Sequence, residues 1–187
     1  MATYQPRLNS NGMQGSKYWY SQYNIYFATG YGMPNCTCYA FGRFWEINGH
    51  FGYDSKIPKL PNANGEDWWS RTYAYEKGST PKVGSIICFR NTSGFGAGHV
   101  AVVEEVRNNG VIVTSNSSWQ GKYFYTETLS PDSNGYYYHA GSNYTYRSQG
   151  FIYNPYVGQP TPTPPTPTPT TKKKKFPWVL YSKRLRR

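Results

Sequence analysis

The chain has 187 residues, a net charge of +11 and an aromatic content of 19%. This length predicts one domain of about 155 residues with appendages. No run of about 20 apolar residues is present, which excludes a membrane-spanning helix, and three cysteines exclude an even disulfide framework.

Residues 1–22 show no regular pattern and are predicted to form an irregular arm. A helix is predicted over 36–48, with the stop signal Asn48-Gly49 at its end. One face of this helix is apolar and carries Ala40, Phe44 and Ile47. Cys36 stands in the first turn, where unpaired N–H groups and the helix dipole stabilise an anion. We therefore expect a reactive thiolate at Cys36; the alternative is a buried core cysteine.

A second helix is predicted from Asn64, as its N-cap, to a stop at Gly78, with Asp67 in the first turn. Runs of β-branched residues then predict strands. Their bounds are 85–90, 99–106, 111–115, 122–129 and 150–153. Helices followed by an antiparallel sheet predict an α+β fold in which N-terminal helices pack on the sheet, as a papain-like core requires.

His99 begins its predicted strand after a Gly-rich loop, where an imidazole can accept a thiol proton and return it to a leaving amine. Asn116 follows the next strand, and its amide oxygen can accept the second N–H of His99. Trp119 is expected to shield that bond from water. The alternative is a polar strand end with a core tryptophan. The other two histidines, His50 and His139, lack comparable strand support and are predicted to be ordinary surface residues.

The pairing of the strands that carry His99 and Asn116 tests whether Cys36, His99 and Asn116 can form a catalytic triad. A two-residue turn at Asn109-Gly110, the strongest local turn signal, would pair Asn116 with Val103. Asn116 would then lie four residues along the strand from His99, or about 13 Å away. The triad therefore requires a wider loop centred near Arg107, or a β-bulge.

Two segments follow the predicted domain of residues 1–155. Residues 156–171 are a Pro/Thr-rich linker, which predicts an extended polyproline spacer. The tail, residues 172–187, contains eight of the 20 Lys and Arg residues, no acidic residue and an aromatic stretch at 176–181. Anionic polymers or membrane head groups are the expected partners of this tail. Nucleic acid is the generic alternative, but the body carries no basic aromatic sheet motif for it.

Four blocks of the sequence resemble the CHAP family (cysteine, histidine-dependent amidohydrolase/peptidase). They are the NCT-x-YA-x-GR helix from Asn35, the P-x-x-G strand, the GHVA strand and the S-x-x-x-W strand end. The resemblance runs from about Gly30 to Trp119 and weakly to Tyr153. It implies that Cys36 is the nucleophile and His99 the general base.

The chain also departs from the family pattern. Asn116 takes a position usually held by Glu, and Ser118 takes one often held by Asn. An amide can orient the imidazole, but it cannot stabilise the imidazolium with a full charge. Cys38 replaces the aromatic residue that is usual at its position.

The resemblance implies a peptidoglycan hydrolase with a Cys-His-Asn thiol mechanism, either an N-acetylmuramoyl-L-alanine amidase or a peptide-bridge endopeptidase. Its expected partners are stem peptides of the wall, with anionic wall polymers or the membrane surface as partners of the tail. We expect substrate-binding or supporting roles for Tyr31, Asn35, Ser118 and Trp119, the first two near the oxyanion. The alternative is a non-catalytic wall-binding module that retains the fold.

No cofactor and no metal is expected. Some family members bind calcium through acidic residues before the nucleophile, but residues 23–35 contain no Asp or Glu. A zinc site could use the four residues Cys36, Cys38, Cys88 and His99, but no second closely spaced cysteine pair supports it.

The location of the protein follows from the same features. The first thirty residues hold no apolar run, so we expect no signal peptide. With its spacer and tail the chain looks like a phage endolysin, made in the host cytoplasm and acting on the wall. A virion-borne lysin and a bacterial wall-remodelling enzyme are the alternatives.

Overall fold

The computed structural model of the protein describes residues 2–94, 96–140 and 145–159. Three helices are present in this part of the chain: α1 (Ile25–Ala28), α2 (Cys36–His50) and α3 (Trp68–Arg71). Short 3-10 turns occur at Gly65–Asp67 and Asn108–Gly110. The strands are β1 (Lys77–Gly78), β2 (Ile86–Asn91), β3 (His99–Val106), β4 (Ile112–Asn116), β5 (Tyr125–Leu129), β6 (Tyr138–Ala140) and β7 (Thr145–Ile152).

All strand pairs are antiparallel, in the order β1-β7-β2-β3-β4-β5, with β6 also paired to β7. Helix α2 packs on one face of this sheet. The core on that face includes Cys38, Phe41, Phe44, Ile47, Val100, Val102 and Ile152. The opposite face has its own core, which includes Ile87, Phe89, Ala101, Val103, Ile112 and Phe151. The predicted α+β fold is therefore confirmed. None of the described helices has the length and apolar character needed to cross a membrane.

The predicted elements differ from the structure mainly at their ends. Helix α2 extends two residues beyond its expected end. The second helix is much shorter than predicted, because Thr72 adopts extended backbone and the chain continues to the edge strand β1. The strand expected from residue 122 starts at Tyr125, since hydrogen bonds between Ser118 and Lys122 first close a turn. Strand β7 begins five residues earlier than expected, at Thr145.

The N-terminal arm is irregular, as predicted, but it is part of the packed core. Met13 and Trp19 are completely buried. A Cβ added at Gly42 would come within 2.4 Å of the Trp19 indole, so this glycine of the GR pair allows the arm to lie against α2. At the other end of the domain Tyr156 stacks on Tyr53, with ring centroids 4.4 Å apart. The described fold thus includes the first residues assigned to the linker; residues 160–171 and the tail lie outside the described part.

A buried ion pair joins α2 to β3. Arg43 binds both oxygens of Glu104, at 2.9 Å each, and the Arg43 and Glu104 side chains are 5% and 0% exposed. Ser115 donates to the same carboxylate at 2.6 Å, and Tyr4 of the arm donates at 2.7 Å. Because a buried charge is tolerated only when it is paired and hydrogen-bonded, this network ties the arm, the helix and two strands together.

A β-bulge at Glu104 sets the register between β3 and β4. The paired residues are Val106 with Ile112, Glu105 with Val113, Val103 with Thr114, and Val102 with Ser115. The two-residue turn does not form; a wider loop closes with a 2.7 Å hydrogen bond from the N–H of Arg107 to the carbonyl of Val111. Because successive side chains point to opposite faces of a sheet, one extra residue in β3 moves the side chains beyond the bulge to the other face relative to β4. Without the bulge Asn116 would lie opposite Val102, on the face of α2.

Candidate active site

A cavity of about 730 Å³ opens where α2 and β3 begin. Two of the three predicted catalytic residues, Cys36 and His99, line it, and the third, Asn116, is completely buried behind His99. The predicted supporting residues Tyr31, Asn35, Ser118 and Trp119 also line the cavity. The structure therefore brings together residues that are up to 88 positions apart in the sequence.

Helix α2 presents Cys36 as its first residue. The side chain of Asn35 caps the helix by accepting a hydrogen bond from the N–H of Thr37 at 3.0 Å. Burial raises the pKa of the Cys36 thiol to about 11, although the backbone N–H groups of Val100, Thr37 and Cys36 itself act in the opposite direction. The N–H groups at the start of α2 thus favour the thiolate, but burial has the larger effect on the pKa. Activation of this thiol needs a base.

The imidazole of His99 is held by Asn116, at 3.0 Å from Nε2 to Oδ1. The amide of Asn116 is itself oriented, because its nitrogen donates to Oγ1 of Thr114 at 3.0 Å. Its oxygen is therefore free to accept the Nε2–H of His99, which leaves the lone pair of a neutral ring on Nδ1. This is the tautomer that a general base requires.

The surroundings of His99 favour its neutral form. Burial, together with the neighbouring His139, lowers the pKa of His99 to about 3, although the hydrogen bond to Asn116 acts in the opposite direction. With a high thiol pKa and a low imidazole pKa, Cys36 and His99 are both uncharged near neutral pH. Burial of the two groups therefore favours a thiol and an imidazole over an ion pair.

The prediction that His139 is a surface residue is wrong. Its ring is only 7% exposed and stacks on His99, with centroids 4.2 Å apart and planes 13° from parallel. Its Nδ1 lies 2.7 Å from a carboxylate oxygen of Glu127. His139 belongs to strand β6, which was not predicted. The run Tyr136-Tyr137-Tyr138 before it has high β propensity, and this signal could have indicated the strand.

Asn35 has a structural role within the cavity wall. Its amide nitrogen donates to the carbonyl of Tyr31 at 3.0 Å, and its oxygen also accepts the hydroxyl of Thr37 at 2.8 Å. These contacts use the amide oxygen and one of the two side-chain N–H groups of Asn35, and they fix the side chain at the start of α2. Ser118 is engaged in the turn with Lys122, whose N–H it accepts at 2.8 Å.

Tyr31 and Trp119 form an aromatic shelf at the cavity. Their ring centroids are 5.9 Å apart, and the two residues are 55% and 53% exposed. Trp119 thus pairs with Tyr31 at the surface, and the ring that covers His99 is that of His139. Asp67 and Arg71 also line the cavity and form an exposed ion pair at 3.4 Å.

The residues considered for a zinc site are not gathered. Cys38 and Cys88 are buried in the helix-side core, and the described residues contain no group of three or more His, Cys, Asp or Glu side chains arranged to hold a metal. All three cysteines are free. The sulfur of Cys38 lies 3.9 Å from the carbonyl of Trp19, within the packing of the arm.

Comparison with known proteins points to one family. The family model of the CHAP domain matches residues 26–118, which include Cys36, His99 and Asn116. The probable autolysin LDP of Staphylococcus aureus (strain NCTC 8325 / PS 47) is 34% identical over 91 residues, or 49% of this chain and 30% of that protein. A crystal structure of N-acetylmuramoyl-L-alanine amidase from Staphylococcus aureus is 23% identical with a TM-score of 0.40, covering 64% of this chain and 32% of that one. The chain spans about a third of the length of each of these two proteins.

Proposed function

We propose that the chain, whose residues 26–118 match the CHAP-domain family model, is a peptidoglycan hydrolase that cleaves an amide bond of the bacterial wall. The observation that carries this proposal is the joint placement of Cys36 and His99 in one cavity, with Asn116 holding the imidazole at 3.0 Å. The similarity to a probable autolysin supports the wall as the substrate.

In the proposed reaction Nδ1 of His99 takes the proton of the Cys36 thiol as the sulfur attacks the carbonyl carbon. Because both groups are neutral at rest, proton transfer accompanies attack instead of preceding it. The tetrahedral oxyanion accepts a hydrogen bond from the backbone N–H of Cys36. This N–H lies in the first turn of α2 and therefore has no acceptor within the helix. His99 then gives the proton to the leaving amine, and a thioester remains on Cys36. Water, deprotonated by His99, hydrolyses the thioester and frees the thiol.

Asn116 is sufficient as the third member of this triad. Its role is to fix the tautomer and the plane of His99, and an amide does this without a charge. Its amide is fixed by Thr114 at 3.0 Å, and its complete burial keeps water from competing for His99. The change from the usual Glu therefore does not argue against catalysis, and the non-catalytic wall-binding module is the weaker alternative.

The cavity is suited to a polar peptide. The Tyr31–Trp119 shelf offers flat apolar faces, while Asp67 and Arg71 offer both signs of charge to a substrate. A stem peptide carries apolar, acidic and basic groups along an extended chain, and these features match it. Cleavage between the sugar and the peptide and cleavage within the peptide bridge both fit this proposal.

Zymography on purified Gram-positive walls tests the proposal. The parent protein should clear the walls, and Cys36→Ala should not. Cys88→Ala is the matched control, because Cys88 lies in the core away from the cavity. Iodoacetamide should label Cys36 first, and activity should fall in proportion to the labelling.

The N-terminal residue that digestion releases distinguishes the two bonds: alanine for an amidase, a bridge residue for an endopeptidase. Full lysis by Cys36→Ala would refute the thiol mechanism, and binding without lysis by the parent would favour the alternative.

We also propose a targeting role for the tail and an endolysin-like release of the protein. Removing residues 172–187 should weaken binding to intact cells at low salt, because the basic run is attracted to anionic wall polymers or to the membrane surface. Turnover of a soluble stem-peptide fragment should not change, since the catalytic residues lie in the body. Loss of that turnover would mean that the tail belongs to the folded domain.

A further inference from the structure

His139 has no part in the reaction described above, yet it lies against the general base. Its ring and that of His99 are nearly parallel at 4.2 Å, and Tyr146 stacks on His139 at 6.0 Å and 17°. Phe89 lies against both histidines, with centroid distances of 6.1 Å to His99 and 5.8 Å to His139. The imidazole of His99 is therefore one ring in a packed aromatic column.

The position of this column depends on a contact between the two ends of the sheet. His139 is on β6, which pairs with β7, and Glu127 is on β5, which ends the strand order on the other side. Their 2.7 Å contact shows that the sheet curls until these strands meet. Glu127 thus anchors His139 from outside its own strand pair, and it directs the ring over His99.

We propose that His139, anchored by Glu127, is a positioning residue that fixes the ring plane of His99 and favours its uncharged form. This inference rests on the proposed function, because it assigns to His99 the role of general base. The stacked ring limits rotation of the His99 imidazole about its Cβ–Cγ bond, so that Nδ1 stays directed to one place. A misplacement of about 1 Å at such a group can cost about 10²-fold in rate.

The effect on protonation follows from the titratable groups that line the cavity together with His99. Besides His139 on β6, these are Cys36 from α2, Tyr26, Tyr31, Tyr146 from β7, and the ion pair of Asp67 and Arg71. Two positive charges on stacked rings repel each other, so the proximity of His139 disfavours a charge on His99. This effect adds to burial in holding the pKa of His99 well below its ordinary value.

The test uses the full chain and three variants. His139→Phe keeps an aromatic ring in the column but removes the imidazole nitrogens and the bond to Glu127. Glu127→Ala removes the anchor, and Glu127→Gln keeps an oxygen that can accept the Nδ1–H. His50→Gln is the matched control, since His50 bonds the carbonyl of Thr3 at 2.7 Å and does not line the cavity. The chain has only three histidines, so their ring protons can be assigned by NMR from these variants.

In the parent and in His50→Gln, a titration from pH 8 to pH 2 should place the midpoint of the His99 signals near pH 3. In His139→Phe their midpoint should rise by at least one pH unit, and the acid limb of kcat/KM should move with it. At the pH optimum, Glu127→Ala should lower kcat about tenfold, because His99 loses part of its positioning, and Glu127→Gln should restore most of it. An unchanged His99 titration in folded His139→Phe, or equal kcat in Glu127→Ala and the parent, would overturn the proposal. The titration needs no substrate, so a protein that shows the shift but does not cleave walls would refute the proposed function alone.

Discussion

Two buried polar networks lie back to back on strands β3 and β4. On the face of α2, Glu104 and Ser115 join Arg43; on the opposite face, His99 and Asn116 join through a single hydrogen bond. Ser115 and Asn116 are neighbours in the sequence, and both are completely buried. One strand therefore supplies adjacent residues to two networks of very different character.

The difference lies in how completely each network is satisfied. Both oxygens of Glu104 accept hydrogen bonds: one from Arg43 and Ser115, the other from Arg43, Tyr4 and the N–H of Arg7. This carboxylate is paired with a cation and has little capacity left for chemistry. The His99 network is neutral and borders the cavity, and it keeps one lone pair on Nδ1. A buried polar group whose hydrogen-bonding atoms are all used indicates a structural role. A buried polar group that keeps a free lone pair beside a cavity indicates a role in catalysis.

The largest expected effect is on the structural network. Arg43→Met should lower the free energy of unfolding by about 3–5 kcal/mol, because it leaves the buried charge of Glu104 without its partner. Urea unfolding measures this loss. The control is Arg107→Ala, which removes an exposed ion pair with Glu105 and should cost about 0–1 kcal/mol. Equal losses of unfolding free energy in the two variants would show that burial does not make the Arg43–Glu104 pair more important for stability than the exposed pair.

The neighbours Ser115 and Asn116 give the sharpest separation of the two networks. Asn116→Ala should lower kcat/KM by about 10²-fold, because His99 loses the acceptor that fixes its tautomer. Ser115→Ala should leave kcat/KM nearly unchanged but cost about 1–3 kcal/mol of stability, since Glu104 loses a buried donor. Hydrolysis kinetics and urea unfolding of both variants check this. A large loss of activity in folded Ser115→Ala would mean that the two faces are coupled.

The pH dependence of stability should carry the signature of His99. Its pKa in the folded protein, about 3, lies below its ordinary value near 6.5, so the unfolded chain binds this proton more readily. The contribution is complete above pH 6.5 and is lost progressively as the pH falls towards 3. At pH 5 the loss should be about 2 kcal/mol relative to pH 7. Urea unfolding of the parent and of His99→Gln at both pH values measures it, and an equal loss in the variant would contradict the assignment to His99.

The smallest effect is expected at the aromatic shelf, which belongs to neither network. Trp119→Ala should raise KM about three- to tenfold with little change in kcat, because we propose that the shelf contacts substrate away from the reacting bond. The control is Tyr73→Ala, since Tyr73 is 87% exposed and does not line the cavity. Kinetics on a soluble stem-peptide fragment give both constants. A fall in kcat without a change in KM would instead place Trp119 in the chemistry.

Prediction from the sequence is most accurate for elements whose bounds are set by neighbouring residues, such as helix caps and apolar periodicity. The helix that starts at Cys36 follows from its cap and its apolar face, and the bounds of β3 were predicted without error. The short second helix and the early start of β7 were missed, because sheet pairing overrides local propensity there. The candidate triad followed from the CHAP resemblance and the strand pattern, and the structure gathers its members at one cavity.

The amino-acid sequence by itself determined the α+β class, the helix that presents Cys36 and the strands that carry His99 and Asn116, because these depend on periodicity and caps within short windows. Only the tertiary structure decided three further features. The bulge at Glu104 selects the face of Asn116, since register depends on how a whole strand pairs. Burial sets the charge of Cys36 and His99 at rest, because desolvation depends on neighbours that are distant in the chain. The curl of the sheet brings Glu127 to His139, a contact between strand ends that no local pattern encodes.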